Sequence, residues 1–179
     1  MHKEHFIEGL KYPWKKPEKL LNILWILIPI VGFFAIMGYL KKIVIELSKG
    51  KKEGLPKFGK FVDNLGVGFM LFVYMIPTFI VLFIIQSTPF IGPILYLLIV
   101  LLALPWLVIN LFVKGEFKAL WELKEVYEVV TKRFTEYLIA LLKTIVFGII
   151  YGLASIVLIG IPCYMFGGYY YLIDFYRKK

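Results

Sequence analysis

The sequence predicts an all-α fold: a polytopic helical membrane protein of five or six apolar helices, arranged as three helical hairpins. Three observations predict it. Residues 20–40, 64–113 and 144–173 carry no Asp, Glu, Lys or Arg. Each run is interrupted near its middle by proline and glycine, in "LIPIVGFF", "STPFIGP" and "LIGIPCY". The charges fall between the runs in compact blocks, and 60% of the 179 residues are apolar. With a mean hydropathy of +0.81, a water-soluble fold of this size cannot hide its apolar surface. Uncharged runs of about 18 residues or more are the mark of bilayer spans.

Residues 1–19 form the first charged block, with five Lys against three Glu. The stretch lacks a small-residue cleavage site, so it reads as a cytoplasmic N-terminal segment rather than a signal peptide. Its two histidines, His2 and His5, sit on what reads as a ragged end.

The first hairpin is read as 14–28 with 32–48. Charge favours the reversal over the alternative, a single long span kinked at Pro29. Seven Lys follow in the block 41–63, and basic residues beside spans mark the cytoplasmic side. A single span over 20–40 would put two Lys-rich blocks on opposite faces. A turn at Pro29 and Gly32 puts both on one. Proline removes a helix donor, and glycine accepts turn geometry. Arms of about 15 residues reach only ~22 Å, short enough for a re-entrant loop.

The second hairpin is read as 60–86 with 91–113, breaking at Pro89, Gly92 and Pro93. The third is read as 131–157 with 161–176, breaking at Gly160 and Pro162. Pro77 and Pro105 fit kinks within spans. The chain then forms one membrane domain over 1–179. Every charged block is cytoplasmic, as are both termini, and localisation is a multi-pass cell-membrane protein. Tyr12, Trp14, Trp121, Tyr127, Tyr137, Tyr169, Tyr170, Tyr171, Phe175 and Tyr176 lie beside charged blocks, as interfacial anchors do.

The basic cytoplasmic loop 41–63 holds Lys41, Lys42, Lys49, Lys51, Lys52, Lys57 and Lys60. Lysines beside a membrane helix attract anionic lipid headgroups, at ~1 kcal/mol each. These seven are the candidate headgroup contacts. Nucleic acid is not an expected partner of so Arg-poor a block. Within 114–136, Leu120, Leu123, Tyr127, Val130, Phe134 and Tyr137 recur at spacings of three and four, which predicts an amphipathic cytoplasmic helix over 117–137. Lys118–Glu122, Lys124–Glu128 and Glu128–Lys132 are spaced to support it. Packing against the protein itself is the favoured use of its apolar face.

Little catalytic chemistry is legible. The single Cys163 lies in an apolar run and reads as a buried apolar side chain. No carboxylate stands inside 64–113 or 144–173, no metal-ligand spacing recurs, and Gly66-Val67-Gly68 reads as a close-packing stretch rather than a nucleotide loop. No catalytic residue, metal or cofactor is expected. The candidate intramembrane polar residues are Lys143, Asn110 and Glu136. Lys143 lies seven residues after Glu136, on the same helical face, and snorkelling to the interface is the simple account of it.

"PWKKPEKLLNILWILIPIVGFFAIMGYLKKIVIEL", "GLPKFGKFVDNLGVGF", "TEYLIALLKTIVFGIIYGL" and "IGIPCYMFGGYYYLIDFYRK" together resemble a family of small archaeal multi-pass membrane proteins known only as a domain of unknown function, of the 4013 type. That family looks distantly similar to the non-catalytic membrane domain of some bacterial glycerophosphodiesterases. Its members more often carry Asp after the LPxF turn, where this chain has Gly59 and its nearest Asp is Asp63. The resemblance implies a membrane location and an architecture, with no activity and no site residues. The expected function is a non-enzymatic membrane scaffold or a lipid- or partner-binding module. The expected partners are membrane lipids, a second copy of the chain, or another membrane protein. A permease or channel for a small solute is the alternative.

Overall fold

The computed structural model describes residues 2–178, apart from the side chains of His2, Lys3 and Val130. The described residues are helical or irregular, with no strand among them. Three helical stretches are long and apolar enough to cross a membrane: Phe61–Gln86, Ile91–Lys114 and Phe134–Val157. No more than 33% of the most apolar window of each is buried. These helices therefore present most of their apolar surface outward, the reverse of a water-soluble core.

The segment bearing His5 is helical and packed on the body of the protein, correcting the expectation of a ragged end there; the His2 side chain lies outside those described. Helix α1, His2–Lys11, is held by Tyr171, whose ring stacks on Phe6 and whose hydroxyl donates to the Phe6 carbonyl at 2.7 Å. Pro13 and Pro17 each open a 3-10 stretch, Pro13–Lys15 and Pro17–Leu27. The second stands where an α-helical arm was expected. With three residues per turn, side chains at i and i+3 align. Leu21, Leu24 and Leu27 accordingly face outward, while Leu20 and Ile23 pack on the core.

Helix α2, Val31–Ser48, buries Ala35, Ile36, Tyr39, Ile43, Val44 and Leu47, an apolar stripe at helical spacing. It packs on helix α3, Phe61–Gln86, along a seam made by two glycines. A Cβ on Gly38 would sit 2.0 Å from the Asn64 carbonyl oxygen, and one on Gly68 would sit 1.8 Å from that of Phe34. Phe34 against Gly68 and Gly38 against Asn64 is an antiparallel register. Close approach of backbones through small residues is how helices associate where lipid removes the hydrophobic drive. The loop between them is pinned by Tyr39, whose hydroxyl donates to the Pro56 carbonyl, and by Asn64, whose amide donates to that of Phe58, both at 2.8 Å.

Pro77 is accommodated inside α3. Pro105 has a clearer effect. Helix α4, Ile91–Leu98, passes through a π-helical stretch, Ile99–Ala103, into helix α5, Leu104–Lys114. Proline has no amide proton, and its ring clashes with the carbonyl four residues earlier. The wider π turn just upstream relieves that clash.

Three tight turns share a positive φ and one hydrogen-bond pattern, with ψ of −64° at Ile30, −58° at Phe90 and −26° at Leu158. Ile30, Phe90 and Leu158 have φ of 63°, 62° and 61°. In each turn the following amide donates to the carbonyl two residues back: Val31 to Pro29, Ile91 to Pro89 and Ile159 to Val157, all at 2.7 Å. These are γ-turns, an uncommon and strained form for apolar side chains. A glycine follows each by two residues. A Cβ on Gly32, Gly92 or Gly160 would lie 2.0, 2.1 or 2.2 Å from the carbonyl oxygen of Trp25, Ile85 or Tyr151. The segments PIVG, PFIG and VLIG are thus one recurring device. Pro93 and Pro162 sit in the first turns of α4 and of helix α8, Gly160–Gly167, where no intrahelical donor is needed.

The expected continuous helix over 117–137 is three pieces: a 3-10 turn Phe117–Trp121, helix α6 Leu123–Lys132, and the start of helix α7, Phe134–Ala154. Glu122 leaves the helix to reach Lys114, and Lys118 pairs with Glu116 instead. Arg133 breaks the second junction: its guanidinium donates to the Lys178 carbonyl at 3.0 Å and covers the Phe175 ring. The apolar face divides as well. Leu120 and Tyr137 are buried, whereas Leu123 and Tyr127 are 59% and 69% exposed, and Val126 and Val129 pack inward instead. Val130 lies outside the described side chains.

Several expected interfacial anchors are core residues. Tyr12, Tyr137, Tyr170, Tyr171 and Phe175 are buried, with Trp106, Tyr137 and Phe175 in mutual ring contact. Trp14, Trp121 and Tyr127 remain exposed. Helix α9, Tyr170–Tyr176, carries three of the buried rings and brings the C-terminal charges against α1 and α2.

Candidate functional site

The charged blocks, far apart in sequence, meet through Asp174 near the end of α9. Its side chain is only 10% exposed and is ringed by cations. Lys52 lies at 2.5 Å, His5 Nε2 at 2.9 Å, Lys178 at 3.5 Å and Arg177 at 3.9 Å. Burial opposes ionisation of this carboxyl, but the Lys52 hydrogen bond and the Lys52, His5 and Lys178 charges outweigh it and hold it below the usual carboxylate range. Lys52 also lies over the Tyr170 ring, and Lys15 donates to the Lys52 carbonyl at 2.8 Å. One carboxylate therefore joins the N-terminal block, the basic loop and the C-terminus.

Beside it opens a cleft of about 290 Å³, lined by His5, Glu136, Lys143, Tyr171, Asp174 and Lys178, with Ile139, Ala140 and Phe175 as apolar wall. Two of the three intramembrane candidates, Glu136 and Lys143, meet here. Glu136 is taken by Arg133 at 2.5 Å. Lys143 makes no ion pair among the described residues. Counting groups in the cleft and those paired to it, Lys52, Arg133, Lys143, Arg177 and Lys178 face two carboxylates, Glu136 and Asp174. The cleft has a surplus of positive charge at the edge of an apolar helix.

Asn110 lies elsewhere. It is fully buried, and its amide donates to Glu125 at 2.9 Å and Glu122 at 3.3 Å. Lys114, one turn on, pairs with both carboxylates. This network fastens α6 to α5. Asn110 and Lys114 share a helix face by their spacing of four, and Glu122 and Glu125 by their spacing of three. That facing pair across Gly115 was a readable signal. For Asp174 and His5 the only signal was a lone acid closing a long apolar run.

The seven loop lysines divide. Lys51 pairs with Glu46 at 2.8 Å, Lys52 with Asp174, and Lys42 donates to the Phe58 carbonyl at 3.4 Å. Lys41 reaches over Gly115 and lines a groove of about 280 Å³ with Gly66, Val67, Met70 and Tyr74. Lys49, Lys57 and Lys60 are exposed. Among the described residues no three His, Cys, Asp or Glu side chains stand close enough to hold a metal ion.

The turns lie apart from this charge. Ile30, Phe90 and Leu158 are 76%, 91% and 72% exposed, and exposed Leu27, Ile91, Ile156 and Val157 surround them. No curated protein and no solved structure matches the chain. One family model does match, over residues 21–160, a range that holds all three turns and both the π-bend and the α2–α3 seam. The chain belongs to the DUF4013 family, proteins of unknown function.

Proposed function

We propose that this is a non-enzymatic integral membrane module of the cell membrane that enters the bilayer from one face as three helical hairpins and holds anionic lipid at its basic end. The observation that carries the reading is the separation of charge from apolar turns. The charged blocks converge around Asp174, while the exposed tips at Ile30 and Leu158 offer no polar group to water. Such tips belong in hydrocarbon.

The hairpins differ in reach. Phe61–Gln86 and Ile91–Lys114 are ~39 and ~36 Å long, enough to cross a ~30 Å core. Their turn also carries Gln86, Ser87 and Thr88, which suit the far interface. The first hairpin is shorter. The seam register sets Ile30 level with Phe72, and α3 runs on from there by about 21 Å. Its tip therefore ends inside the bilayer. The third has 14 uncharged residues from Gly160 to Ile173, ~21 Å of helix, and ends inside as well. One crossing hairpin flanked by two re-entrant ones puts both termini on the charged, cytoplasmic side.

Exposed Lys49, Lys57 and Lys60 lie on that side, and the outward stripe of Leu123 and Tyr127 suits the adjoining headgroup boundary. The test is co-flotation of purified protein with bilayers. Neutralising Lys49, Lys57 and Lys60 together should weaken association with anionic over zwitterionic bilayers in a salt-dependent way. Indifference to lipid charge would overturn the reading.

A small-solute permease is the second reading, and the π-helical stretch before Pro105 favours it, since such bulges cluster at functional sites. Solute flux into proteoliposomes that depends on this stretch would support it.

A further inference from the structure

We propose that the cleft at Lys143 is a binding site for the headgroup phosphate of a single anionic phospholipid, with Lys143 as the principal ligand. This rests on the lipid reading above and makes it specific.

Charge argues first. Lys143 has no ion-pair partner among the described residues, although its α7 neighbours are apolar and outward-facing. The carboxylate on its own face, Glu136, is held by Arg133, and Asp174 is engaged by three cations and the His5 ring. Among the described residues no acid is left to neutralise it. An ammonium at the rim of the hydrocarbon needs an anion or water, and a phosphate monoanion matches the positive surplus around it.

Shape argues second. The ~290 Å³ cleft has Lys143, Lys178 and His5 on its polar side. Its apolar wall, Ile139, continues along α7 to the exposed Leu142, Val146 and Ile149. These positions follow one another by three and four residues, so they form one stripe rising from the cleft. A headgroup in the cleft would lay an acyl chain on that stripe. A free phosphate would leave it unused, so the site fits a lipid rather than a soluble anion.

The same arrangement accounts for His5 and α1. Helix α1 closes one side of the cleft, where His5 hydrogen-bonds Asp174 and Phe6 packs on Tyr171. The N-terminal helix thus walls the site instead of hanging free in solvent.

The experiment is native mass spectrometry of the full chain in mild detergent with an equimolar mixture of phosphatidylglycerol and phosphatidylcholine. The wild-type protein should retain one phosphatidylglycerol in preference to phosphatidylcholine. Lys143→Gln should reduce that retention at least about tenfold, the size of a lost charge-assisted contact. Lys143→Arg should restore it, and the paired change Lys124→Gln and Lys132→Gln, at exposed positions outside the cleft, should leave it intact. Unchanged thermal unfolding of Lys143→Gln would exclude misfolding as the cause. If that variant unfolds, Lys143→Arg and Lys178→Gln carry the comparison, with retention kept in the first and reduced in the second.

Retention by Lys143→Gln equal to wild type, with the preference for phosphatidylglycerol intact, would overturn the site and leave the broader lipid reading standing. No preference in the wild type would sink both. Displacement of the lipid by millimolar inorganic phosphate would overturn the lipid assignment in favour of a free-anion site.

Discussion

Placing alanine at Gly38 or Gly68 should destabilise the protein, whereas alanine at Gly66 or Gly152 should not. The first two positions press backbone on backbone. The added Cβ would stand 2.0 Å from Asn64 O or 1.8 Å from Phe34 O, against the 3.4 Å of ordinary contact. The helices must part by about 1.5 Å, and a gap of 0.5–1 Å already forfeits roughly a quarter to a half of each contact's attraction. Neither neighbour is a side chain that can swing aside. The seam also carries the edge-to-face contacts of Phe34 with Phe69 and Phe72, which parting would break. Overpacking costs about 1–3 kcal/mol where side chains can yield, so about 3 kcal/mol is expected here. Helix propensity returns about 1 kcal/mol, leaving a net loss of ~2 kcal/mol. At Gly66 and Gly152 nothing stands within 4 Å, so only the propensity gain applies. The assay is the thermal unfolding midpoint in mild detergent, followed by near-UV circular dichroism. Gly38→Ala and Gly68→Ala should each fall by about 4–8 °C, and the double variant by less than the sum, because both open one seam. Gly66→Ala and Gly152→Ala should match or exceed wild type. Equal midpoints for all four would refute the seam.

Asp174→Asn should cost ~2–4 kcal/mol at neutral pH, since it strips a nearly buried carboxylate from three cations; a thermal melt checks it. The Asp174 carboxyl is held below its ordinary value, so its contribution is present above about pH 4 and lost as pH falls through the lower folded value. Wild-type stability should therefore drop below about pH 4, and Asp174→Asn should flatten that slope. Asn110→Leu leaves Glu122 and Glu125 short of a buried donor and should lower stability by ~1–3 kcal/mol in the same assay. Glycine at Ile30, Phe90 or Leu158 relieves a positive φ and should stabilise the fold by ~1 kcal/mol or more per site, raising the unfolding midpoint; a fall at all three would contradict the turn geometry.

What was legible in the sequence follows from what each pattern encodes. The breaks near Pro29, Pro89 and Gly160 could be read because proline and glycine act on the backbone locally. The three helices long and apolar enough to cross a membrane could be read because their signal is composition. The 3-10 form of Pro17–Leu27 could not, since its apolar residues suit either helix and tertiary packing chose between them. The aromatics misled because Tyr and Trp serve both interfaces and cores. Tyr12, Tyr170 and Tyr171 stand beside charges in sequence, yet those charges fold over them. The Asp174 cluster spans residues 5, 52, 174, 177 and 178, and no local spacing encodes a contact over such separations. Lys143 and Asn110 stood out because a polar group in an apolar run is conspicuous, but their partners did not.

The central claim is that the charged blocks share one face and that the first and third tips end inside the bilayer. Single cysteines in a Cys163→Ala background, probed with a membrane-impermeant maleimide in right-side-out and inverted vesicles, test it most directly. Cysteines replacing Lys57, Lys124 and Lys178 should react from the same side, and one replacing Thr88 only from the other. Cysteines replacing Ile30 and Leu158 should react from neither side, yet react with a membrane-permeant maleimide. Labelling of the Lys57 and Lys124 positions from opposite sides, or of the Ile30 position from the far side, would contradict the account.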